Sequence, residues 1–446
     1  MDDRALRTLD RWKDQFTGWP RTIECFEMRL VGRDAEGDFF KGPGRIEIRS
    51  LTDMRFFMHG TTNDQAASFR KLICAKENPY NVYEQFRLLA TDYRKTEWNC
   101  GFVEVEFDGD HNHGWPLGGR IESLVTMVSG SWVSQRSSVE LLVVPPADLP
   151  MSTSMNTETS IGNQQILSIR EPGEHRLNVL DTQITFSYEP SRKALWITGD
   201  ISEKFRHPFA ENWLTEPLRI LLGVPIYPRL VARNFGDGTA HIWVRKSPQR
   251  EAASVVGLLP PFSNPPVPTT EFWGLYEKIL AFISAGNEFE PNKITLLYDE
   301  LSHARLGTRW VLTLTLASTA EALANSLMTE TDRKSEYSDA SLMSMKQHLK
   351  EWGGDTDLRG RMISNLKMVS QRSVVSFLRR LAKTESVEGE HVQTWHRIRN
   401  SVMHGNLVEP WSSADGDRHL EEMLKLVHDL TRAVIDKGTQ SSTGRS

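Results

Sequence analysis

The chain has few of the features that usually declare a function. Three cysteines in 446 residues, Cys25, Cys74 and Cys100, are too few and an odd number for a disulfide framework, which points to a reducing compartment. No stretch of about 18 apolar residues exists, so no membrane-spanning helix is expected. The opening Met1-Asp2-Asp3-Arg4 is charged and lacks an apolar run, so no signal peptide is expected. Basic residues are not in excess: the net charge is −5, so any nucleic-acid surface has to be local. There is no Gly-x4-Gly-Lys-Ser/Thr phosphate loop, no Gly-x-Ser-x-Gly elbow and no internal repeat. His111-Asn112-His113, near Asp108, Asp110 and Cys100, lacks a second pair at ligand spacing and has the composition of a turn. No metal and no cofactor are expected.

What is present divides at a proline-rich joint, Leu258 to Pro268. Proline has no N–H and disrupts both helix and central strand, so this segment reads as an extended linker. Before it, period-two alternation predicts strands at Arg45 to Arg49, Gly101 to Phe107, Val139 to Val144 and His241 to Arg245. A hairpin is predicted from Gln183 to Thr198, turning at Glu189-Pro190-Ser191. Ser152 to Asn163 is polar; it either separates two sub-units or forms one loop. Asn212 to Leu222 reads as a helix. After the joint the period becomes 3.6. Leu316, Ala320, Leu323 and Leu327 share one face; Leu420, Leu424, Val427, Leu430 and Val434 share another. Helices are predicted near 271–285, 293–306, 309–329, 335–352, 361–383, 389–404 and 415–437.

The expected class is α+β: a β-rich region of sandwich- or barrel-like sheets, then an all-α bundle. The domains read as 1–257 (with sub-units near 1–150 and 160–257), a linker at 258–269, a helical domain at 270–437 and a disordered tail at 438–446.

One run in the last predicted helices concentrates chemistry: Trp395-His396-Arg397-Ile398-Arg399-Asn400-Ser401-Val402-Met403-His404-Gly405. Asn400 and His404 are four apart and share a helical face. Arg399 lies about 140° from His404, so one helix does not aim both at one atom, and a second copy would complete the set. Upstream, Glu321 interrupts an Ala- and Leu-rich helix, where a carboxylate near the core face needs a partner. The stretch from Arg359 to Lys383 contains Arg359, Arg361, Lys367, Arg372, Arg379, Arg380 and Lys383 without Asp or Glu. Such a block suits a phosphate backbone, and equally a solvated face balanced by acids on neighbouring helices.

Arg399-Asn400-x3-His404, with the Glu321 helix before it, resembles the Arg-x4-His signature of HEPN domains, helical and usually dimeric RNases. With a β-rich region first, the chain is similar to ApeA-type HEPN proteins of bacterial anti-phage defence. Trp213 to Val244, with Glu216-Pro217-Leu218-Arg219-Ile220-Leu221-Leu222, looks like part of their N-terminal region. The resemblance implies a cytoplasmic, metal-independent endoribonuclease acting through the ribose 2′-OH. Arg399, Asn400, His404 and Glu321 would form its site. His396, Arg397 and the basic block would hold RNA, tRNA or mRNA. It further implies a homodimer through the helical domain, no membrane, and a β-region that senses a trigger such as a phage protein or restrains the nuclease. The competing expectation is a non-catalytic RNA- or protein-binding scaffold whose β-region does the recognising.

Overall fold

The computed structural model describes every residue except 1–6, 19, 34–36, 108–113, 162–163, 190–192, 249–253, 260–266, 287–290, 336, 370, 404–412 and 444–446. The chain folds into two units, residues 1–219, 224–252 and 263–291 in one and 220–223, 253–262 and 292–446 in the other.

The first unit is the β-rich one. Helix α1 (Asp10–Phe16) leads into β1 (Arg21–Val31), β2 (Asp38–Ile48) and β3 (Met54–Gly60). Helix α2 (Gln65–Glu77), started by Asp64 accepting from Ala67 N–H at 2.9 Å, precedes β4 (Phe86–Asp92), β5 (Glu97–Phe107) and β6 (Trp115–Arg120). Next come β7 (Ser123–Ser129), β8 (Ser137–Val143), β9 (Ser154–Ile161), β10 (Gln164–Pro172), β11 (Glu174–Val179), β12 (Thr182–Tyr188) and β13 (Leu195–Asp200). Short helices α3 (Ala210–Trp213) and α4 (Glu216–Leu222) then lead to β14 (Leu230–Phe235), β15 (Thr239–Arg245) and α5 (Thr269–Ser284).

Strands β4-β1-β2-β3-β6 run in that order, and β5 pairs with both β4 and β6, which closes a six-stranded antiparallel barrel. Alternating apolar residues fill it: Leu30, Phe40, Ile46, Phe56, Phe86 and Leu88 are all fully buried. Closure depends on close backbone approach at β6. A Cβ on Gly119 would overlap the Glu104 carbonyl oxygen and come within 2.8 Å of the Phe56 ring. Beyond β5 the sheet continues as β7-β15-β14-β8-β13-β12-β11.

Strands from before residue 150 and after residue 160 therefore interleave, since β8 lies between β13 and β14. The sub-units expected near 1–150 and 160–257 do not form separate sheets. The polar segment from Ser152 is neither separator nor plain loop; it supplies β9, hairpinned with β10. A buried acid explains how the N-terminal segment is held. Glu140 accepts from the amides of Thr8 and Leu9 and from Asn234 Nδ2, each at 3.0 Å. Burial pushes the Glu140 carboxyl up in pKa, opposed by these donors.

Helix α5, expected in the bundle, belongs to the β-rich unit. Its Trp273 indole N–H donates to Pro150 O at 2.7 Å and its Tyr276 hydroxyl to Leu214 O at 2.9 Å. Its apolar face thus has a partner that periodicity alone does not identify.

The second unit is helical: α6 (Lys293–Arg305), α7 (Arg309–Leu327), α8 (Glu330–Arg333), α9 (Asp339–Glu351), α10 (Thr356–Val369), α11 (Val374–Lys383), α12 (Gly389–Met403) and α13 (Ala414–Thr443). The single helix expected over 361–383 is two, because Ser373 caps a new start by accepting from Ser376 N–H at 3.2 Å. Leu258 and Leu259, expected to begin a linker, are buried, and their amides donate to Ile220 and Leu221. Helix α13 continues to Thr443, into the segment expected to be disordered. Among the described residues no helix is long and apolar enough to cross a membrane.

Candidate functional site in the helical unit

Helix α12 is fixed on α7 by two successive rungs, each one helical turn apart. In the first, Trp395 is fully buried and its indole N–H donates to Ala317 O at 3.0 Å. In the second, Arg399 grips Glu321 with both arms of its fork. Nε donates to Oε2 at 2.8 Å and Nη2 to Oε1 at 3.0 Å. Residues 395 and 399, like 317 and 321, are spaced by four, so both rungs fall on facing stripes of the two helices. The Arg399 guanidinium also lies 6.0 Å from the Trp395 ring centroid. Both charged side chains are about one-third exposed (32% each). The Glu321 hydrogen bond raises the Arg399 pKa, and partial burial opposes it.

Asn400 sits one residue further round the helix and is exposed. Its Nδ2 is 3.4 Å from His396 Nε2, which makes that imidazole nitrogen the acceptor. His404 lies outside the described residues, as do His111, His113 and their neighbours. The structure thus brings Glu321 and Arg399 together and places Asn400 and His396 beside them.

Arg397 is two residues from Arg399, about 200° round the helix, so it points to the other side. It donates to His419 Nε2 on α13. Burial and then the Arg397 charge lower the His419 pKa, which favours the neutral imidazole. Beside it, Glu422 is buried and accepts from Thr394 Oγ1 at 2.6 Å. Glu390, Gln393, Arg397, Arg418, His419 and Glu422 line an open cavity of 370 Å³ between α12 and α13.

Sequence reasoning did not single out Trp395, His419 or Glu422. A tryptophan inside an otherwise polar run was the one available signal for the first. The other two depend on α13 lying against α12, which spacing does not reveal.

The basic block is divided between two helices. Arg359, Arg361 and Lys367 are on α10, Arg379, Arg380 and Lys383 on α11, and Arg372 at the joint. Arg380 is paired with Asp332. The Thr329 amide, the Thr329 hydroxyl and Arg380 hold the Asp332 carboxyl down at about 2. Arg359 donates to Trp352 O at 3.0 Å. Arg361, Arg379 and Lys383 are exposed, and Arg379 and Lys383 share one face at i, i+4.

Among the described residues no group of three or more His, Cys, Asp or Glu is placed to hold a metal ion. The fold and site define an α+β protein with a closed β-barrel and a helical unit that carries a bidentate Glu–Arg pair. No protein-family model, no curated protein and no solved structure matches the chain.

Proposed function

We propose that the helical unit is a metal-independent endoribonuclease of the HEPN type, serving anti-phage defence in the cytoplasm. In this reading His404 moves protons between the ribose 2′-OH and the leaving 5′-oxygen. Arg399 stabilises the charge that develops on the phosphorane, and Asn400 supplies an amide donor. The observation that carries the reading is the two-armed Arg399–Glu321 bond. It fixes the guanidinium plane beside Asn400, at the end of α12 from which the chain continues to His404. A fixed fork loses little entropy when it engages a phosphate, which is the preorganisation that electrostatic catalysis requires. Because helical spacing would set Arg399 and His404 about 140° apart, the active unit in this reading is a homodimer with composite sites. The β-rich unit senses the trigger, such as a phage protein, or restrains the nuclease.

A second reading has its own support. Arg399, Arg397 and Arg380 are all engaged within the protein, by Glu321, His419 and Asp332. Cations already partnered suit a non-catalytic scaffold, with recognition left to the β-rich unit. RNA incubated with the protein in excess EDTA separates the two. The nuclease leaves fragments ending in 2′,3′-cyclic phosphate, and His404→Ala slows cleavage by about 10²–10⁴-fold with RNA affinity nearly intact. Wild-type cleavage by His404→Ala, or cleavage that requires added magnesium, overturns the assignment.

A further inference from the structure

Strand β5 is asked to serve two structures along one edge. Its other edge pairs with β4 between Glu97 and Val103, with one irregularity between Asn99 and Phe102. On the contested edge, Glu104 to Phe107 pair with β6 and close the barrel, while among the described residues β7 forms a ladder pair with β5 only at Asn99 and Val125. β7 keeps the register that β6 sets along β5, from the Glu104–Arg120 pair to the Asn99–Val125 pair, but no ladder pair follows Val125 among the described residues. Residues Thr126 to Ser129 remain paired to β15 on one side. On the other side they have no strand partner among the described residues.

The gap is a cleft of 990 Å³, within the size range of ligand sites. Trp12, Trp98 and Trp132 line it, with Met127 67% exposed. Free sheet edges are normally blunted by charge, proline or a bulge. The terminal strand β11 follows that rule with Glu174 and Arg176. The β7 edge does not: Val125-Thr126-Met127-Val128-Ser129 has no charge and no proline, and its pairing with β15 is regular. Four free residues span about 13 Å, enough for several main-chain bonds.

The mouth carries positive charge. Arg94 and Lys95 are exposed there, and neither side chain has a carboxylate partner among the described residues. Arg94 is close enough to lower the pKa of Arg21, a like-charge effect secondary to burial. Of the nearby acids, Glu27 is taken by Lys41 at 2.7 Å. Asp92 is buried and accepts the amides of Arg94 and Thr96 at 2.8 and 2.9 Å. Glu97, at the start of β5 in the same hairpin as Arg94 and Lys95, is an exposed acid at this mouth.

We propose that the β5–β7 cleft accepts an extended, acidic peptide segment of a partner protein, which adds as a strand to the free edge of β7. Alternating unpaired N–H and C=O groups on that edge select a polypeptide backbone, which offers the complementary alternation. Met127 and the tryptophans take its apolar side chains, and Arg94 and Lys95 take its carboxylates. A nucleic-acid strand fits the cations and the aromatic rings but has no alternating donors and acceptors for the strand edge.

The test uses the full-length chain and a short fluorescein-labelled peptide of alternating valine and glutamate, followed by anisotropy. Saturable binding is expected. Methylating alternate backbone amides should weaken it at least about tenfold, since each lost main-chain bond is worth about 1 kcal/mol. Arg94→Glu combined with Lys95→Glu, checked for native circular dichroism, should weaken it about fivefold and favour a lysine–valine peptide instead. Equal affinity for the methylated peptide, or no saturation by about 1 mM, overturns the proposal. Displacement of the peptide by oligouridine at lower concentration also overturns it and identifies a nucleic-acid site.

Discussion

The helical unit should lose stability in mild acid through one residue, His428. It lies on α13, with Nε2 3.2 Å from the Val256 carbonyl oxygen. Burial lowers its pKa to about 4, partly offset by the Val256 bond, with the Arg432 charge lowering it further. The folded imidazole is therefore neutral and donates to Val256, while the unfolded one titrates near 6.5. The folded pKa is the depressed one, so the stabilisation is present above about pH 6.5 and is lost as pH falls toward 4. At pH 5 the unfolded chain binds nearly one extra proton at this position. Integrating from pH 7.5 gives a loss of about 2 kcal/mol, rising to about 3 kcal/mol by pH 4. Urea unfolding followed by far-ultraviolet circular dichroism at pH 7.5 and 5.0 measures it, with amide exchange along α13 as a local report. His428→Gln should be less stable at pH 7.5 by about 1 kcal/mol and should lose the acid increment of about 2 kcal/mol. Equal acid losses in wild type and variant would refute the reasoning and move the sensitivity to other histidines.

Three further outcomes follow from the packing. Trp395→Phe, which removes the indole donor to Ala317 and part of a fully buried ring, should cost about 2 kcal/mol; Trp395→Ala should cost about 3–5 kcal/mol, read from denaturant midpoints of the helical unit. Glu140→Ala leaves the Thr8 and Leu9 amides and Asn234 without their acceptor, so it should cost about 3 kcal/mol or more and expose the N-terminal segment to limited proteolysis. Gly119→Ala forces the β5–β6 closure apart and should lower the melting temperature of the β-rich unit, with amide exchange rising first in β5 and β6.

The candidate site is partly legible in the amino-acid sequence. Glu321 stands out as a carboxylate near an apolar stripe that needs a cation, and Arg399 as part of the Arg-x4-His pattern; that the two meet rests on α12 lying against α7. The basic run does not resolve the same way. Its division at Ser373, and the capture of Arg380 by Asp332 from the short α8, depend on a cap and on a helix outside the run. Helix α5 shows the same limit. Its apolar stripe is plain in the sequence, but a stripe does not name its partner, and the partner is the β-rich unit.

Local patterning sets where strands give way to helices, most helix bounds, and which residues concentrate chemistry on α12. These features follow from periodicities of 2 and 3.6 and from caps, which act over a few residues. The three-dimensional fold sets the rest: six strands close into a barrel, β8 inserts between strands formed later in the chain, and β7 leaves β5 at Asn99. Those outcomes rest on pairings between residues far apart in the chain, and local patterning favours many such pairings equally. Close packing, at Gly119 and around Glu140, selects among them.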